Sequence, residues 1–413
     1  MNKSDLIVGL DIGTTKICAV VGQLNESGTI EVVGIGNSVS TGLRKGVVVN
    51  IEQTVQSVRK AVEDAELMAG CEINSVYVGI AGSHIMGINS HGVIAVKGGG
   101  EVTQRDIERV LDAARAVAIP ADREVIHILP QEYIVDNQCG IADPLGMAGV
   151  RLEVRVHIVT GAISSAQNIV RSCHRAQLEV SEIALESLAS AKAVLTDEER
   201  EIGVALVDLG GGTTDIAVFA NDAIKHTAVL ALGGQNLSND IAFGLRTPVA
   251  AAEKIKIKYG CALTDLVRAD EYIEVPSVGG RESRRLSRQV LAEICEPRME
   301  EILYLVDQSL ERAGYKDLIG AGVVLTGGTS LIEGCQELGE QIFNLPTRIG
   351  YPRNVGGLKD VVNSPKFSTA VGLLCYGAEK EMGGQKKFTS SRNESSIFDG
   401  LLVRMKKWFS DIS

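Results

Sequence analysis

Apolar and polar positions along this chain alternate between two periods. Short apolar runs at residues 6–10, 17–22 and 30–38 read as strands. Residues 51–69 then carry apolar side chains at Val55, Val58, Ala61, Val62, Ala65 and Met68, close to the 3.6-residue period of a helix. A strand is expected over 75–82 and another over 154–160. The block of about 70 residues between them has elements of its own: a strand pair near 86–96, a helix opened by Thr103 and running to Ala118, and a strand near 125–129. Thr103 is placed as an N-cap, with Asp106 as its acidic partner three residues on. A helix follows at 165–176. Thr247 and Pro248 open a later helix whose end Gly260 marks, with Pro expected at its first position. On that helix Glu253 and Lys256 are three apart and share a face. Residues 320–334 read as strand, Gly-Gly-Thr turn and helix, and a closing helix is expected at 369–380.

Two of the strand pairs are near copies, 197 residues apart. Residues 8–22 read VGLDIGTTKICAVVG and residues 204–219 read VALVDLGGGTTDIAVF. Each is an apolar run, an Asp, a Gly-Thr turn and a second apolar run, which predicts strand, hairpin, strand. Turn glycines allow positive φ and close approach, so that successive N–H groups converge on phosphate oxygens, and the threonine hydroxyls add donors. Asp11 and Asp208 end the first strand of each copy, placed to hold a cation or its water opposite the phosphates. One copy alone reads equally well as an ordinary glycine hairpin. The turns lack the Gly-Lys-Ser/Thr ending of a P-loop, and they lead into β-rich runs instead of the helix that a dinucleotide fingerprint requires. What remains is a duplicated fold that clamps a nucleotide between its halves.

Composition narrows the setting. A chain of 413 residues, 45% hydrophobic, suits two to four structural units with a packed core. Its eight cysteines are scattered singly with no Cys-x-x-Cys pair, and Asp11 and Lys16 interrupt the N-terminal apolar stretch, so no signal peptide is expected and a reducing cytoplasm is. The six histidines show no metal spacing. No apolar run reaches the ~18 residues of a spanning helix. A net charge of -11 argues against general nucleic-acid binding.

The charge is uneven, however. From Gln385 onward six basic residues face three acidic ones, a tail of +3 on a body of -14. Residues 385–396 (QKKFTSSRNESS) read as a flexible linker. Beyond them Ile397, Phe398, Leu401, Leu402, Met405, Trp408 and Phe409 fall within an arc of about 140°, with Arg404, Lys406 and Lys407 on the other face. Trp408 is the only tryptophan. Such a helix is too short to span a bilayer and suited to lie in the interface beside anionic lipid. A helix folded back on the protein's own core is the alternative.

Three motifs now carry a resemblance. Asp-x-Gly-Thr-Thr-Lys at 11–16, Asp-x-Gly-Gly-Gly-Thr-Thr-Asp at 208–215 and Leu325-Thr326-Gly327-Gly328-Thr329 resemble the phosphate-1, phosphate-2 and adenosine motifs of the actin, Hsp70 and sugar-kinase superfamily, over residues 6–377. More narrowly, the strings RKGVVVNIEQTVQSVRKAVEDAELMAG, HILPQEYIVD, GVRLEVRVHIVTG, VPSVGGR and STAVGLLCYG resemble the FtsA family of bacterial actin-like cell-division proteins.

The resemblance implies an α/β, two-lobed, actin-like (ribonuclease H-like) ATPase fold with an inserted subdomain in the first lobe and a C-terminal amphipathic helix. It implies a first-lobe core at 1–82, 162–200 and 356–384, an insertion at 83–161, a second-lobe core at 201–233 and 301–355 with a small subdomain at 234–300, then the linker and a membrane-targeting helix at 397–413. Residues 182–195, with small Ala184, Ala189, Ala191 and Ala193, resemble the helix connecting the halves. By the same resemblance ATP or ADP is held by Asp11, Gly13, Thr14, Thr15, Lys16, Asp208, Gly210, Gly211, Gly212, Thr213, Thr214, Asp215, Gly234, Gly327, Gly328 and Thr329. Glu253 and Lys256 lie against ribose and adenine. Magnesium sits at Asp11 and Asp208 through water. Glu186 occupies the place of a glutamate that orients the attacking water, a solvated helix-start glutamate being the other reading.

Implied partners are further copies in a protofilament, later division proteins at the insertion, and the acidic FtsZ tail at Arg281, Arg284, Arg285, Arg288 and Arg298. The implied location is the septal, cytoplasmic face of the inner membrane, with at most weak ATPase activity. A sugar kinase or phosphatase would need a catalytic base for which the first half shows no extra acidic motif. An Hsp70-like chaperone would need a large peptide-binding domain after the nucleotide module. A pilus-assembly relative has a similar insertion without this tail.

Overall fold

The structure, a computed structural model, describes residues 6–25, 28–97, 100–279 and 281–390. It opens with β1 (Leu6–Ile12), β2 (Lys16–Leu24), β3 (Ile30–Val39), the small hairpin β4 (Leu43–Arg44) and β5 (Val47–Val48), α1 (Ile51–Ala69) and β6 (Ser75–Ile80). Next come β7 (Met86–Ala95), α2 (Gln104–Arg115), β8 (Arg123–Val135), β9 (Gln138–Ile141) and β10 (Arg151–Ala162), followed by α3 (Ile163–Arg175), β11 (Glu179–Leu185), α4 (Glu186–Val194) and α5 (Asp197–Ile202). The second half contains β12 (Val204–Leu209), β13 (Thr214–Ala220), β14 (Ala223–Leu230), α6 (Gly234–Gly244), α7 (Val249–Tyr259), β15 (Tyr272–Val275), β16 (Arg284–Ser287) and α8 (Arg288–Ala313). It closes with β17 (Val323–Thr326), α9 (Cys335–Phe343), β18 (Thr347–Ile349), β19 (Val355–Gly357), α10 (Lys359–Val362) and α11 (Ser368–Ser390).

Two sheets carry the duplication. The first lobe has strand order β11-β6-β1-β2-β3-β19 and the second β14-β13-β12-β17-β18. In each, an antiparallel meander is extended by parallel strands on the side of its first strand. Even the register repeats: Asp11 pairs with Cys18 and Ile12 with Ile17, as Asp208 pairs with Asp215 and Leu209 with Thr214. Both turns therefore have one length and one orientation.

Helix α1 shows how the sheets are covered. Its N-cap Asn50 accepts from the Gln53 N–H at 3.1 Å, and Gly70 ends it in the left-handed region at φ 65°. Val55, Val58, Ala61, Val62 and Ala65 are buried. Gly36 of β3 lets the helix settle on the strand backbone, since a Cβ there would stand 1.8 Å from the Ala61 carbonyl oxygen. In the second lobe α8 buries Leu291, Cys295, Met299, Ile302, Leu303, Val306 and Leu310 in the core shared with β12, β13 and β17. Each large apolar side chain so placed contributes roughly 1.5–3 kcal/mol.

Two compact units emerge from the contacts. Of the described residues, one unit comprises those within 6–89, 118–131 and 157–377 and holds both lobes; the other comprises those within 90–117 and 132–156 and from 378. In the second unit, the Thr103 hydroxyl accepts from the Asp106 N–H while the Asp106 carboxylate accepts from the Thr103 N–H, the expected capping box. The four-stranded sheet β7-β10-β8-β9 spans the insertion.

Several expectations change. The strand pair near 86–96 is one strand, β7: Gly92 makes no turn but lets the strand approach α2, where a Cβ would meet the Val110 carbonyl oxygen at 2.3 Å. Helix α2 stops at Arg115, short of the expected Ala118, with Ala116 leaving the helical region at ψ 50°. Residues 182–185, expected in the connecting helix, are the end of β11, paired in parallel with β6, and the helix starts only at Glu186. Pro248 is the N-cap of α7 and not its first residue. Gly260 ends α7 at φ -58°, so its lack of a Cβ serves close approach to the Lys256 carbonyl rather than a left-handed cap. The Gly-Gly-Thr turn leads into a single 3-10 turn, Gly328–Leu331, before α9. Helix α11 runs through Ser390, so 385–390, expected as linker, continue the helix, each added residue gaining one backbone hydrogen bond.

Candidate functional site

The two Gly-Thr turns lie at the ends of β1 and β12 and face each other. Each is closed by a backbone bond across the same span, Gly13 N–H to Lys16 O at 3.1 Å and Gly210 N–H to Thr213 O at 3.0 Å. A Cβ on Gly211 would stand 2.6 Å from the Thr15 Oγ1, and one on Gly212 would stand 2.4 Å from the Thr14 Oγ1. The expected positive φ is absent at Gly13, Gly210, Gly211 and Gly212. These glycines are required by space, not by backbone hand. The hairpin β4–β5 adds a contact that the sequence reading missed: the Gly46 N–H donates to Thr14 Oγ1 at 3.0 Å.

Four carboxylates converge behind the turns. Asp11, Asp208 and Asp215 are buried and Glu186, the first residue of α4, is half-buried. Burial, opposed by Lys16 and reinforced by Asp208, raises Asp11 to about 6. Burial and then Asp208 push Asp215 to about 7 against the pull of its bond from Thr213 Oγ1 at 2.8 Å. Asp208 is raised by burial and drawn back by hydroxyls of Ser190 and Thr369. Glu186 lies against Gly79 and is raised well above the carboxylate range by burial, then by Asp11, Asp215 and Asp208. Desolvation together with like charge favours the protonated form of these carboxylates. Among the described residues no group of three or more carboxylate, His or Cys side chains is arranged to ligate a metal directly. Oδ1 of Asp215 is buried without a hydrogen-bond partner.

Around the turn of the second lobe a further set assembles. Lys256 is buried, with its ammonium donating to Glu253 Oε2 at 2.8 Å and to the Gly234 carbonyl at 3.0 Å. The Ser238 hydroxyl lies within reach of the same carbonyl and of Glu253, its one proton serving either acceptor. Thr329 Oγ1 donates to the Gly210 carbonyl at 2.9 Å and stands 2.4 Å from where a Gly234 Cβ would be. Gly327, at φ 84°, presses its backbone to Asp208 Oδ1. Gly328 lies beside Lys366, whose ammonium shares the Phe367 ring with that of Lys16, and Lys16 donates to the Lys366 carbonyl at 2.5 Å. All residues expected around a nucleotide thus fall on one locus. Ser190, Thr369, Gly46 and Lys366 join them without having been given a site role by the sequence reading, because a lone hydroxyl, glycine or lysine carries no site signal of its own.

The arginines expected against an acidic peptide divide. Arg288 is paired with Glu271 at 2.7 Å and with Glu333, and Arg298 with Asp240 at 2.5 Å and with Glu301. Arg284 donates to the Leu245 carbonyl, Arg285 stacks over Tyr272 at 4.4 Å, and Arg281, Arg284 and Arg285 are exposed. Among the described residues no helix is long and apolar enough to cross a membrane. The set expected to meet a membrane, Ile397, Phe398, Leu401, Leu402, Arg404, Met405, Lys406, Lys407, Trp408 and Phe409, lies outside the described residues.

Comparison with known proteins matches this geometry. Residues 205–372 match the sequence model of cell division protein FtsA, and residues 82–160 that of the SHS2 domain inserted in FtsA. A Pseudomonas aeruginosa cell division protein FtsA is 56% identical over 405 residues, covering 98% of this chain and 97% of the relative. The Escherichia coli K12 protein of that description is 44% identical over 410 residues, covering 98% and 97%. Among solved structures, a PilM-PilN type IV pilus biogenesis complex superposes with a TM-score of 0.64 at 16% identity, over 90% of this chain and 98% of that one. MreB 5 of Spiroplasma citri bound to AMPPNP superposes with 0.54 at 16% identity, over 93% and 99%. Those two likenesses establish the two-lobed actin-like ATPase fold. With the paired glycine turns, the inserted subdomain and relatives matching along nearly its whole length, this chain belongs to the FtsA family of actin-like cell division proteins.

Proposed function

We propose that this chain binds ATP or ADP with magnesium between its two glycine turns and that the bound, closed state assembles into actin-like protofilaments. The tail at 397–413 then holds those filaments on the cytoplasmic face of the inner membrane, where they tether FtsZ to the septal ring and recruit later division proteins through the insertion. The observation that carries this reading is the facing of Thr14 and Thr15 with Gly212 and Gly211 over four carboxylates. The residues fit such a group. Bare glycine backbone lines the approach, Asp215 Oδ1 lacks a partner, and the acidic cluster is short of positive charge. AMPPNP and ADP bound in MreB 5 of Spiroplasma citri support the same use of this fold.

Magnesium nucleotide, when bound, supplies the divalent charge and the phosphoryl group. Asp11 and Asp208 would hold the cation's water, and the turn N–H groups with the hydroxyls of Thr14 and Thr15 would hold phosphate oxygens, whereas the Thr213 hydroxyl is given to Asp215 and that of buried Thr214 to the Leu232 carbonyl, so these two expected contacts come from backbone alone. Glu253 and Lys256 line ribose and base. Glu186 orients a water, so turnover depends on its carboxylate while binding does not. A nucleotide held by both lobes favours the closed arrangement by its differential affinity. A single interfacial helix binds reversibly, and many on one filament bind far more strongly through raised effective concentration, which couples membrane attachment to polymerisation. Arg281, Arg284 and Arg285 receive the acidic FtsZ tail, while Arg288 and Arg298 hold the framework beneath them.

The test is titration of the purified chain with fluorescent ATP and ADP in magnesium buffer, followed by sedimentation with anionic liposomes. Binding is expected, with Glu186→Gln keeping affinity and losing turnover, and with Trp408→Glu leaving the protein in the supernatant. No measurable nucleotide affinity, or undiminished pelleting of Trp408→Glu, overturns the corresponding half of the reading.

A further inference from the structure

Strand β12 delivers Asp208 to the place where two helices meet. Ser190, in the middle of α4, donates from Oγ to Asp208 Oδ2 at 2.6 Å. Thr369, the second residue of α11, donates to the same oxygen at 3.2 Å, and the two hydroxyls are 3.1 Å apart. All three side chains are buried. Oδ1 of Asp208 accepts no bond from the described residues and is pressed by Gly327, where a Cβ would stand 2.3 Å away. The helices themselves are locked together, since a Cβ on Gly372 of α11 would lie 1.9 Å from the Ala189 carbonyl oxygen of α4. Helix α11 rests on the first-lobe sheet, where a Cβ on Gly9 would meet the Ala370 carbonyl oxygen at 2.4 Å. An aspartate of the second lobe is therefore gripped by hydroxyls from two interlocked helices: α11, which rests on the first-lobe sheet, and α4, which touches strands of both lobes.

Two donors on one carboxylate oxygen fix the plane of the group, because rotation would break a charge-assisted hydrogen bond. They also leave the other oxygen, the one beside Gly327, as the acceptor still to be used. We propose that Ser190 and Thr369 are positioning residues for magnesium-dependent nucleotide binding: they hold Asp208 so that Oδ1 alone meets the cation's water, and they tie that contact to the joint between the lobes. The proposal rests on the nucleotide reading above. None of the phosphate or adenosine motifs contains either residue.

The experiment measures the affinity of the full chain for fluorescent ADP in magnesium and again in EDTA, for wild type, Ser190→Ala, Thr369→Val and Thr369→Ser. Removing a hydroxyl donor to a charged group is expected to weaken binding in magnesium about tenfold or more and to leave affinity in EDTA within about twofold. Thr369→Ser, which keeps the donor, is expected to bind as wild type, and urea midpoints identify any variant that fails to fold. Equal losses in magnesium and EDTA, or an unchanged magnesium dependence in both Ser190→Ala and Thr369→Val, overturn the proposal. A wild-type chain without nucleotide affinity would instead remove the reading beneath it, so the two failures are distinguishable.

Discussion

Gly211, in the turn of the second hairpin, stands so close to Thr15, in the turn of the first, that a Cβ built on it would lie 2.4 Å from the threonine methyl and 2.6 Å from its hydroxyl. The two turns are nearest neighbours although a whole half of the chain separates them. Closure of the lobes thus has a steric limit that a single methyl group would move.

Gly211→Ala is accordingly expected to hold the lobes apart. Overpacking of this kind costs ~1–3 kcal/mol, so nucleotide affinity in magnesium is expected to fall by about tenfold. Thr15→Ala removes both clashing atoms along with one phosphate donor, so Gly211→Ala is expected to cost far less affinity in a Thr15→Ala background than in the wild type. Fluorescence titration of the single and double variants decides it: an equal cost in both backgrounds would place the effect elsewhere.

The acidic cluster makes stability depend on pH. Asp215 and Asp11 titrate near 3.8 when unfolded and at about 7 and about 6 when folded, raised first by burial. A folded value above the unfolded one means stability that is fully present below about pH 3.8 and is lost as pH rises through about 7. Without nucleotide or magnesium, the melting temperature is expected to fall across that window. Asp215→Asn, which buries a neutral amide, is expected to flatten the profile and raise the melting temperature at pH 7–8 while weakening magnesium-nucleotide binding. A calorimetric profile that keeps the wild-type slope in Asp215→Asn would contradict this.

A histidine works in the opposite direction. Buried His157 of β10 lies 2.7 Å from Asn89 Oδ1 and 2.9 Å from Thr227 Oγ1. Because the Asn89 amide donates to the Lys225 carbonyl at 3.2 Å, its oxygen faces the ring, so Nδ1 carries the proton and Nε2 accepts from Thr227. This links the roots of the insertion strands to the edge strand β14, where Gln131 also donates to the Ile224 carbonyl. Burial, then the nearby His226, lowers His157 from 6.5 to about 4. Its contribution is present above pH 6.5 and is lost as pH falls towards 4. Urea midpoints of wild type are expected to decline over that range more steeply than those of His157→Gln, and parallel curves would assign the acid loss to other groups.

Much of the site was legible because its signal is local. The duplicated Asp-Gly-Thr turns, the Glu253 and Lys256 pair and the Gly327 turn each lie within a few consecutive residues, and the fold had only to bring them together. Helix α1 is expected and observed over the same residues, its apolar stripe and Gly70 being neighbours in sequence. Met68 is the exception, sharing the stripe yet half exposed next to the helix's last residue, Ala69.

The amino-acid order alone determined the twin hairpins, the helix periods and caps, the placing of an inserted block and the amphipathic pattern of the tail, since each follows from φ/ψ preferences and side-chain spacing between near neighbours. Tertiary structure decided the rest. Residues 182–185 became strand only because β6 offered a parallel edge, and Arg288 and Arg298 found their carboxylates on other elements. Ser190 and Thr369 acquired their role only when two helices crossed above Asp208. Hydrogen bonds between residues distant along the chain depend on the packing that brings them within reach, and no local pattern records that distance.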